Sequence, residues 1–330
     1  MSYRVAIAGA TGAVGQELLQ VLQQRNFPIR SLRLLASERS AGKTLAFQGE
    51  QVRVEALRPD SFTGIDIAFF SAGGARSKEY APIAVQAGAI VIDNSSAFRM
   101  RPDVPLVIPE INPDAVRQHK GILANPNCST IILLMALEPL RRLTRIRRIV
   151  VSTYQAASGA GAQAMQELLD STRAYLQGEP FQPQVLPHPY AFNLFSHNSA
   201  VDESGYNEEE RKMILETRKI WSDAEVAVSP TCVRVPVLRA HSESITVELE
   251  TRPDLNTLYA AYTSFPGVAL VDDRERNHFP MPLEATGRDE IFVGRIRYDV
   301  GLPNGVALFA CGDQLRKGAA LNAVQIAELL

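Results

Sequence analysis

The first 127 residues carry short, almost continuous apolar runs, separated by stretches with helical spacing. "YRVAIA" (3–8), "SLRLLA" (31–36), "IDIAFFSA" (65–72), "AIVIDNSS" (89–96), "PLVIPEI" (105–111) and "GILANPN" (121–127) are predicted strands. "QELLQVLQQR" (16–25) and the segment from about 77 to 87 are predicted helices. Apolar strands alternating with helices indicate a parallel sheet covered on both faces. Past residue 128 the pattern changes. A buried helix (129–143) leads into the strand "RIRRIVVSTYQ", and "GAGAQAMQELLDSTRAYLQG" is a helix opening from a glycine loop. Residues 178–205, rich in Pro, His and Asn, predict a long irregular loop before the amphipathic helix "NEEERKMILETRKIW". "AVSPTCVRVPV", "ESITVELE", "EIFVGRIRYD" and "GVALFACG" alternate, as in an antiparallel sheet with one exposed face. The tail from 313 is helical, and no internal repeat or low-complexity segment interrupts the chain.

The expected fold class is therefore α/β: a Rossmann-like dinucleotide-binding domain (1–127) plus an α+β second domain (128–312), to which the family resemblance given below assigns catalysis and dimerisation. The C-terminal helix, about 313–330, is expected to return to the first domain. At 330 residues the chain is long for one core. It is 46% hydrophobic and 21% charged, as a soluble globular protein is. A formal net charge of −2 provides no long-range field for nucleic acid or an anionic membrane. No apolar run reaches the roughly 18 residues of a membrane span. The start has no basic n-region or cleavage site, so no signal peptide is expected. Three cysteines argue against a disulfide framework and for a reducing cytoplasm. With no CxxC or His-rich cluster, no metal site is expected.

Between the first strand and the first helix, Gly9, Gly12 and Gly15 form GxxGxxG. Such a turn lets a pyrophosphate approach backbone N–H groups at a helix N-terminus. The second strand ends in "ASERSAGK", where Glu38 is surrounded by Arg39, Ser40 and Lys43. A 2′-phosphate needs cations and hydroxyl donors, which favours NADP over NAD.

"NPNCST" places Cys128 on the first turn of a helix that follows a strand. Unpaired N–H groups and positive partial charge there favour the thiolate and can hold an oxyanion. Asn127 can help through its amide or serve as the N-cap. Cys232 and Cys311 lie inside strands and fit buried structural thiols. A nicotinamide cofactor with a thiolate suggests aldehyde oxidation through a thioester, released by water or by phosphate. Phosphate would need cationic anchors, for which Arg99 and Lys212 are candidates. Of five histidines (119, 188, 197, 241 and 278), His241 and His188 suit proton transfer equally on chemistry alone. Arg234 and His241 can flank one turn near a strand end. An uncharged Gln155 can hydrogen-bond beside a thiolate without titrating.

"GATGAVG", "DNSSAFR", "NPNCST", "TYQAASGAG" and "RVPVLRAHSE" occur in that order across nearly the whole chain. Together they resemble the bacterial aspartate-semialdehyde dehydrogenase family. The resemblance implies reduction of 4-phospho-L-aspartate by NADPH to L-aspartate 4-semialdehyde, for lysine (by diaminopimelate), threonine, methionine and isoleucine biosynthesis. It implies Cys128 as the acyl-thioester nucleophile, Gln155 positioning the acyl group, and His241 as the acid/base. Arg234 would bind the α-carboxylate and Glu209 the amine, the register within Glu208–Glu210 being open. Arg99 and Lys212 would bind phosphate beside Asn127. Gly9, Thr11, Gly12, Ala13, Val14, Arg39, Ser40, Ser158, Gly159 and Gln314 would contact NADP. The partners implied are a small-molecule substrate, phosphate and a second copy in a homodimer, with no nucleic acid and no membrane. An N-acetyl-glutamyl-phosphate reductase-like enzyme and a non-catalytic dinucleotide-binding regulator are the alternatives.

Overall fold

The computed structural model describes residues 2–330. The chain folds as two compact units, Met1–Asn127 with Ala319–Leu330, and Cys128–Gly318.

The first unit is built on seven strands: β1 (Tyr3–Ala8), β2 (Ile29–Ala36), β3 (Thr44–Phe47), β4 (Glu50–Ala56), β5 (Ile67–Phe70), β6 (Ile90–Asp93) and β7 (Ile122–Ala124). Their order is β3-β4-β2-β1-β5-β6-β7. All neighbours are parallel except the edge strand β3, which is antiparallel to β4. The central strands are buried along most of their length because helices cover them. α1 (Ala13–Gln24) and the C-terminal helix (Leu321–Glu328) share one core with β1, β2 and β5, and α2 (Gly74–Gln86) packs near β6. Inside that core Asn322 donates its amide to the Val107 carbonyl at 2.9 Å and to Asn125 Oδ1 at 2.6 Å. A buried amide must be paired in this way, and the pairing fixes where the last helix docks.

"PLVIPEI" is not a strand. Only Leu106 bridges to Ala124. Pro105 and Pro109 have no N–H to give to a ladder. The Ile108 carbonyl instead accepts from Ile111 and Asn112, and the Asn112 side chain accepts from the Ile108 N–H, closing a turn.

The second unit is a seven-stranded sheet with helices on one face. Its elements are α3 (Cys128–Arg141), β8 (Ile146–Gln155), α4 (Ala162–Gln177), β9 (Phe195–Ser196), α5 (Glu208–Trp221), β10 (Ala227–Arg234), β11 (His241–Leu249), α6 (Leu255–Ser264), β12 (Val268–Leu270), α7 (Pro282–Ala285), β13 (Ile291–Tyr298) and β14 (Gly305–Gly312). The order is β12-β13-β14-β11-β8-β10-β9. The sheet is mixed where the alternation suggested antiparallel: β10 runs parallel to β8, and β12 to β13. The reason for β10 is the connection. Between β8 and β10 the chain passes through α4 and α5, and such a helical crossover returns a strand parallel to the first. One face is covered by α3 and α5, while the other leaves Val150 and Tyr154 exposed.

The loop from 178 to 207 is irregular apart from β9 but well tied. The buried Glu167 carboxylate accepts backbone N–H groups from Gln184, Val185 and Leu186. Leu186, Tyr190 and Phe195 pack with Ala157, Ala164 and Leu168.

Candidate active site

In the first unit the glycine loop is shaped for close approach. Gly9 has φ +92°, and a Cβ there would fall 2.3 Å from the Ser71 carbonyl oxygen. A Cβ on Gly15 would fall 2.2 Å from the Gly9 oxygen, so α1 can lie this close to β1 only with glycine. Gly12 caps α1 without a side chain, so Ala13 and Val14 open a helix whose first N–H groups suit an anion. Thr11 donates to the Ser40 hydroxyl at 3.5 Å, joining the glycine loop to the turn after β2. Arg39 and Lys43 are exposed on that turn. Glu38 lies 3.3 Å from Arg58 in an exposed ion pair. A dinucleotide fits this cradle, since the glycines let the turn and α1 pack backbone against backbone and leave α1 a side-chain-free N-terminus that a pyrophosphate can approach.

Arg99 is buried and donates from Nε to the Asn125 carbonyl at 2.9 Å and from Nη2 to the Asn94 carbonyl at 2.8 Å. It is thus fastened to the end of β6 and to the segment that runs into the buried Asn127. Asp93 shapes the same turn by accepting from the Ser77 and Ser95 hydroxyls, both at 2.7 Å.

In the second unit, β8, β10 and β11 end together. Arg234 pairs with Gln155 across the β10–β8 ladder, and His241 pairs with Gly312 across β11–β14. Gln155, Arg234 and His241 therefore form one row at one sheet edge, all nearly inaccessible. The Gln155 carbonyl-type Oε1 accepts from the Thr153 hydroxyl, so its amide is turned to donate, and it reaches Glu209 Oε1 at 3.2 Å. Lys212 donates to the other Glu209 oxygen at 3.2 Å. The three glutamates at the start of α5 differ in use. Glu208 is exposed, Glu210 completes the capping box with Asn207 and accepts from the Cys232 N–H, and Glu209 turns to Gln155.

His241 Nδ1 accepts from the Ala156 N–H at 3.0 Å. A backbone amide can only donate, so the neutral ring carries its proton on Nε2. That nitrogen is buried with no protein partner. Burial, reinforced by the Arg234 charge, lowers the His241 pKa to about 3. Ser158 and Gly159 form the loop facing this ring. A Cβ on Gly159 would lie 3.0 Å from His241 Nε2 and 3.1 Å from Arg234 Nη1. Gln314 holds that loop from the opposite strand end, donating to the Ser158 hydroxyl and accepting from the Ala240 N–H.

Cys128 opens α3 and is half-buried. One turn on, Ile132 packs 3.2 Å from where a Gly312 Cβ would be, opposite His241 in the ladder. A Gly318 Cβ would stand 3.0 Å from the Cys128 Cβ. The helix N-terminus therefore lies over the same sheet edge as the row of Gln155, Arg234 and His241. Cys232 and Cys311 are fully buried, and burial raises both thiols, Cys311 to about 12. His188 is exposed beside the Phe195 ring and outside the row. No cluster of His, Cys, Asp or Glu among the described residues can hold a metal.

Two family profiles cover most of the chain: "Semialdehyde dehydrogenase, NAD binding domain" over residues 4–119 and "Semialdehyde dehydrogenase, dimerisation domain" over residues 137–317. An aspartate-semialdehyde dehydrogenase from Synechocystis sp. is 57% identical over 99% of this chain and 97% of its own. The chain belongs to the aspartate-semialdehyde dehydrogenase family. The family member from Aquifex aeolicus is 53% identical over 100% of this chain and 98% of its own. The crystal structure of aspartate semialdehyde dehydrogenase II complexed with ASA, from Vibrio cholerae, superposes with a TM-score of 0.97 at 45% identity. It matches 100% of this chain, and the match covers 98% of that one.

Several residues around this row escaped sequence reasoning. His197 and Asn198, which hold Arg234, lie in an irregular loop without periodicity. Gly318 looks like an ordinary helical glycine until Cys128 is placed against it. Glu243 is a fully buried carboxyl with neither oxygen hydrogen-bonded; it falls in the inward phase of its strand with Ile245, Val247 and Leu249, a polar residue at an apolar position.

Proposed function

We propose that this chain reduces 4-phospho-L-aspartate to L-aspartate 4-semialdehyde and phosphate, with NADPH, through a thioester on Cys128. The product serves lysine, threonine, methionine and isoleucine synthesis. The observation that carries the reading is the row Gln155–Arg234–His241 beneath the α3 N-terminus that bears Cys128. The substrate named for the similar Vibrio cholerae structure supports it.

In the oxidative direction the Cys128 thiolate adds to the aldehyde carbon, breaking the carbonyl π bond and placing charge on oxygen. The His241 Nε2–H is a buried donor for that oxygen, so in its acid/base role the neutral ring acts as the acid, sharing the Nε2 hydrogen with the developing charge. A nicotinamide cofactor held by the glycine turn would supply the hydride acceptor, and loss of hydride from the adduct leaves a thioester on Cys128. Phosphate then attacks the thioester carbonyl, releasing the thiolate and an acyl phosphate. Gln155 positions the acyl group. Arg234 supplies paired N–H donors for the α-carboxylate. Glu209, neighbour to both Gln155 and Lys212, meets the free amine, which an acetylated substrate would lack. Arg99 and Lys212 provide phosphate charge compensation, with Asn127 beside the nucleophile.

For the cofactor, Gly9, Thr11, Gly12, Ala13 and Val14 hold the pyrophosphate side. Arg39 and Ser40 select NADP by its 2′-phosphate, and Ser158, Gly159 and Gln314 border the nicotinamide. The enzyme acts as a homodimer through the open face of the second sheet, in the cytoplasm. No helix among the described residues is long and apolar enough to cross a membrane.

The test is NADPH formation from L-aspartate 4-semialdehyde, NADP and phosphate. Turnover is expected only with phosphate and only with Cys128 present. Turnover by Cys128→Ser would overturn the thioester scheme. Activity confined to N-acetyl-glutamate 5-semialdehyde would move the substrate to the acetylated class.

A further inference from the structure

Arg234 is held by an unusual partner. Its Nη2 lies 2.9 Å from His197 Nε2, its Nη1 donates to the Ala156 carbonyl at 3.3 Å, and its Nε donates to Asn198 Oδ1 at 3.4 Å. A guanidinium has no acceptor, so His197 Nε2 must accept. The ring is then neutral with its proton on Nδ1, which lies 3.0 Å from the Ser199 hydroxyl oxygen. The Ser199 N–H, 3.3 Å from the same nitrogen, is in this tautomer a contact and not a hydrogen bond. The Ser199 hydroxyl oxygen also accepts from the Glu209 N–H at 3.3 Å. A continuous path thus runs from the guanidinium through His197 and Ser199 to the backbone of Glu209.

We infer that His197 is a positioning residue that fixes the Arg234 fork and its spacing from Glu209, so that one path sets both substrate anchors. The inference rests on Arg234 binding the α-carboxylate and Glu209 the amine.

The chemistry explains why an imidazole stands there. An aspartate or glutamate in that place would orient the guanidinium equally well but would neutralise it, competing with the substrate carboxylate. A neutral ring acceptor fixes the fork and leaves the positive charge for the ligand. Each terminal nitrogen of Arg234 keeps a second hydrogen for that carboxylate. Burial, with the charges of Arg234 and Lys212, keeps the ring uncharged against the pull of Glu209, lowering its pKa to about 4. Protonated, it would turn an N–H toward the N–H of Arg234 and release the fork.

The experiment compares His197→Leu, His197→Gln and Arg234→Leu in steady-state oxidation of L-aspartate 4-semialdehyde, with melting temperatures alongside. His197→Leu is expected to raise the KM for the aldehyde about tenfold, while the KM for NADP and kcat change less than about threefold. His197→Gln, whose Oε1 can accept from Nη2, is expected to restore most of that loss. An unchanged aldehyde KM in His197→Leu, or a glutamine variant no better than leucine, overturns the inference. Should the leucine variant fail to fold, His197→Asn, polar but too short to reach Nη2, takes its place with the same expectation. Arg234→Leu separates the two readings. If it leaves the aldehyde KM unchanged, the assignment of Arg234 as carboxylate anchor fails. If it raises KM and His197→Leu does not, only the role of His197 fails.

Discussion

The Ala156 N–H donates to His241 Nδ1 at 3.0 Å, and this one bond fixes the tautomer of the ring. Nε2 carries the hydrogen, in a pocket where charging the ring is disfavoured. His241→Asn keeps a polar group but withdraws the donor from the substrate oxygen. The expected result is a fall in kcat of roughly 10²–10⁴-fold with little change in the KM for NADP. A decrease of less than about tenfold would show that another group handles the proton.

The same burial makes stability depend on pH. Burial lowers the folded-state pKa of His241 to about 3 and of His197 to about 4, below the ordinary 6.5 of a free imidazole. As pH falls through 6.5 the unfolded chain takes up protons that the folded chain refuses. The unfolded state then binds more protons, so stability falls with pH down to about 4 for His197 and about 3 for His241. The melting temperature is expected to drop through this window. The drop should be shallower in a His197→Gln, His241→Asn double variant. An equal slope in parent and double variant would show that other groups govern acid sensitivity.

Glu243 has the opposite sign. It is fully buried with both oxygens unpaired, and burial raises its pKa well above the ordinary 4.5 of a free glutamate. The folded state keeps a proton that the unfolded chain releases above pH 4.5, so this contribution to stability is full below that pH and is lost as pH rises. Glu243→Gln removes the dependence. Its melting temperature relative to the parent is expected to rise as pH increases above 4.5, on the order of a few degrees. A pH-independent difference would mean that Glu243 is already charged in the fold.

A side chain at Gly159 would crowd the His241 and Arg234 side chains. Its Cβ would stand 3.0 Å from His241 Nε2 and 3.1 Å from Arg234 Nη1. Gly159→Ala is expected to lower kcat/KM about 10²-fold by displacing both groups, since small misplacements near the reacting atoms are costly. The melting temperature should change little, because the loop lies beside the site and not in the core. Full activity in Gly159→Ala would show that this loop stands further from the working positions of His241 and Arg234.

Arg39 is exposed on the turn joined to the glycine loop through Thr11 and Ser40. Arg39→Ala is expected to raise the KM for NADP about tenfold and leave that for NAD nearly unchanged, because only NADP carries the 2′-phosphate. Equal effects on both cofactors would assign Arg39 to the pyrophosphate or to the loop itself.

The sequence by itself determined what depends on neighbours along the chain. Strand and helix periods, the glycine turn and the placing of Cys128 at a helix start are local, because backbone geometry repeats every two or 3.6 residues. The resemblance named the same family that the comparisons did. Tertiary structure decided what depends on residues meeting from far apart. "PLVIPEI" has strand-like composition, yet its prolines and the docking of Asn322 leave it a turn. β10 alternates like the antiparallel strands β11, β13 and β14, but the crossover through α4 and α5 sets it parallel to β8. Nothing in "NEEERK" distinguishes Glu209 from Glu208 and Glu210 until α5 is set against Gln155 and Cys232. The tautomers of His197 and His241 were beyond any sequence argument, because each is fixed by a donor that only folding brings within 3 Å.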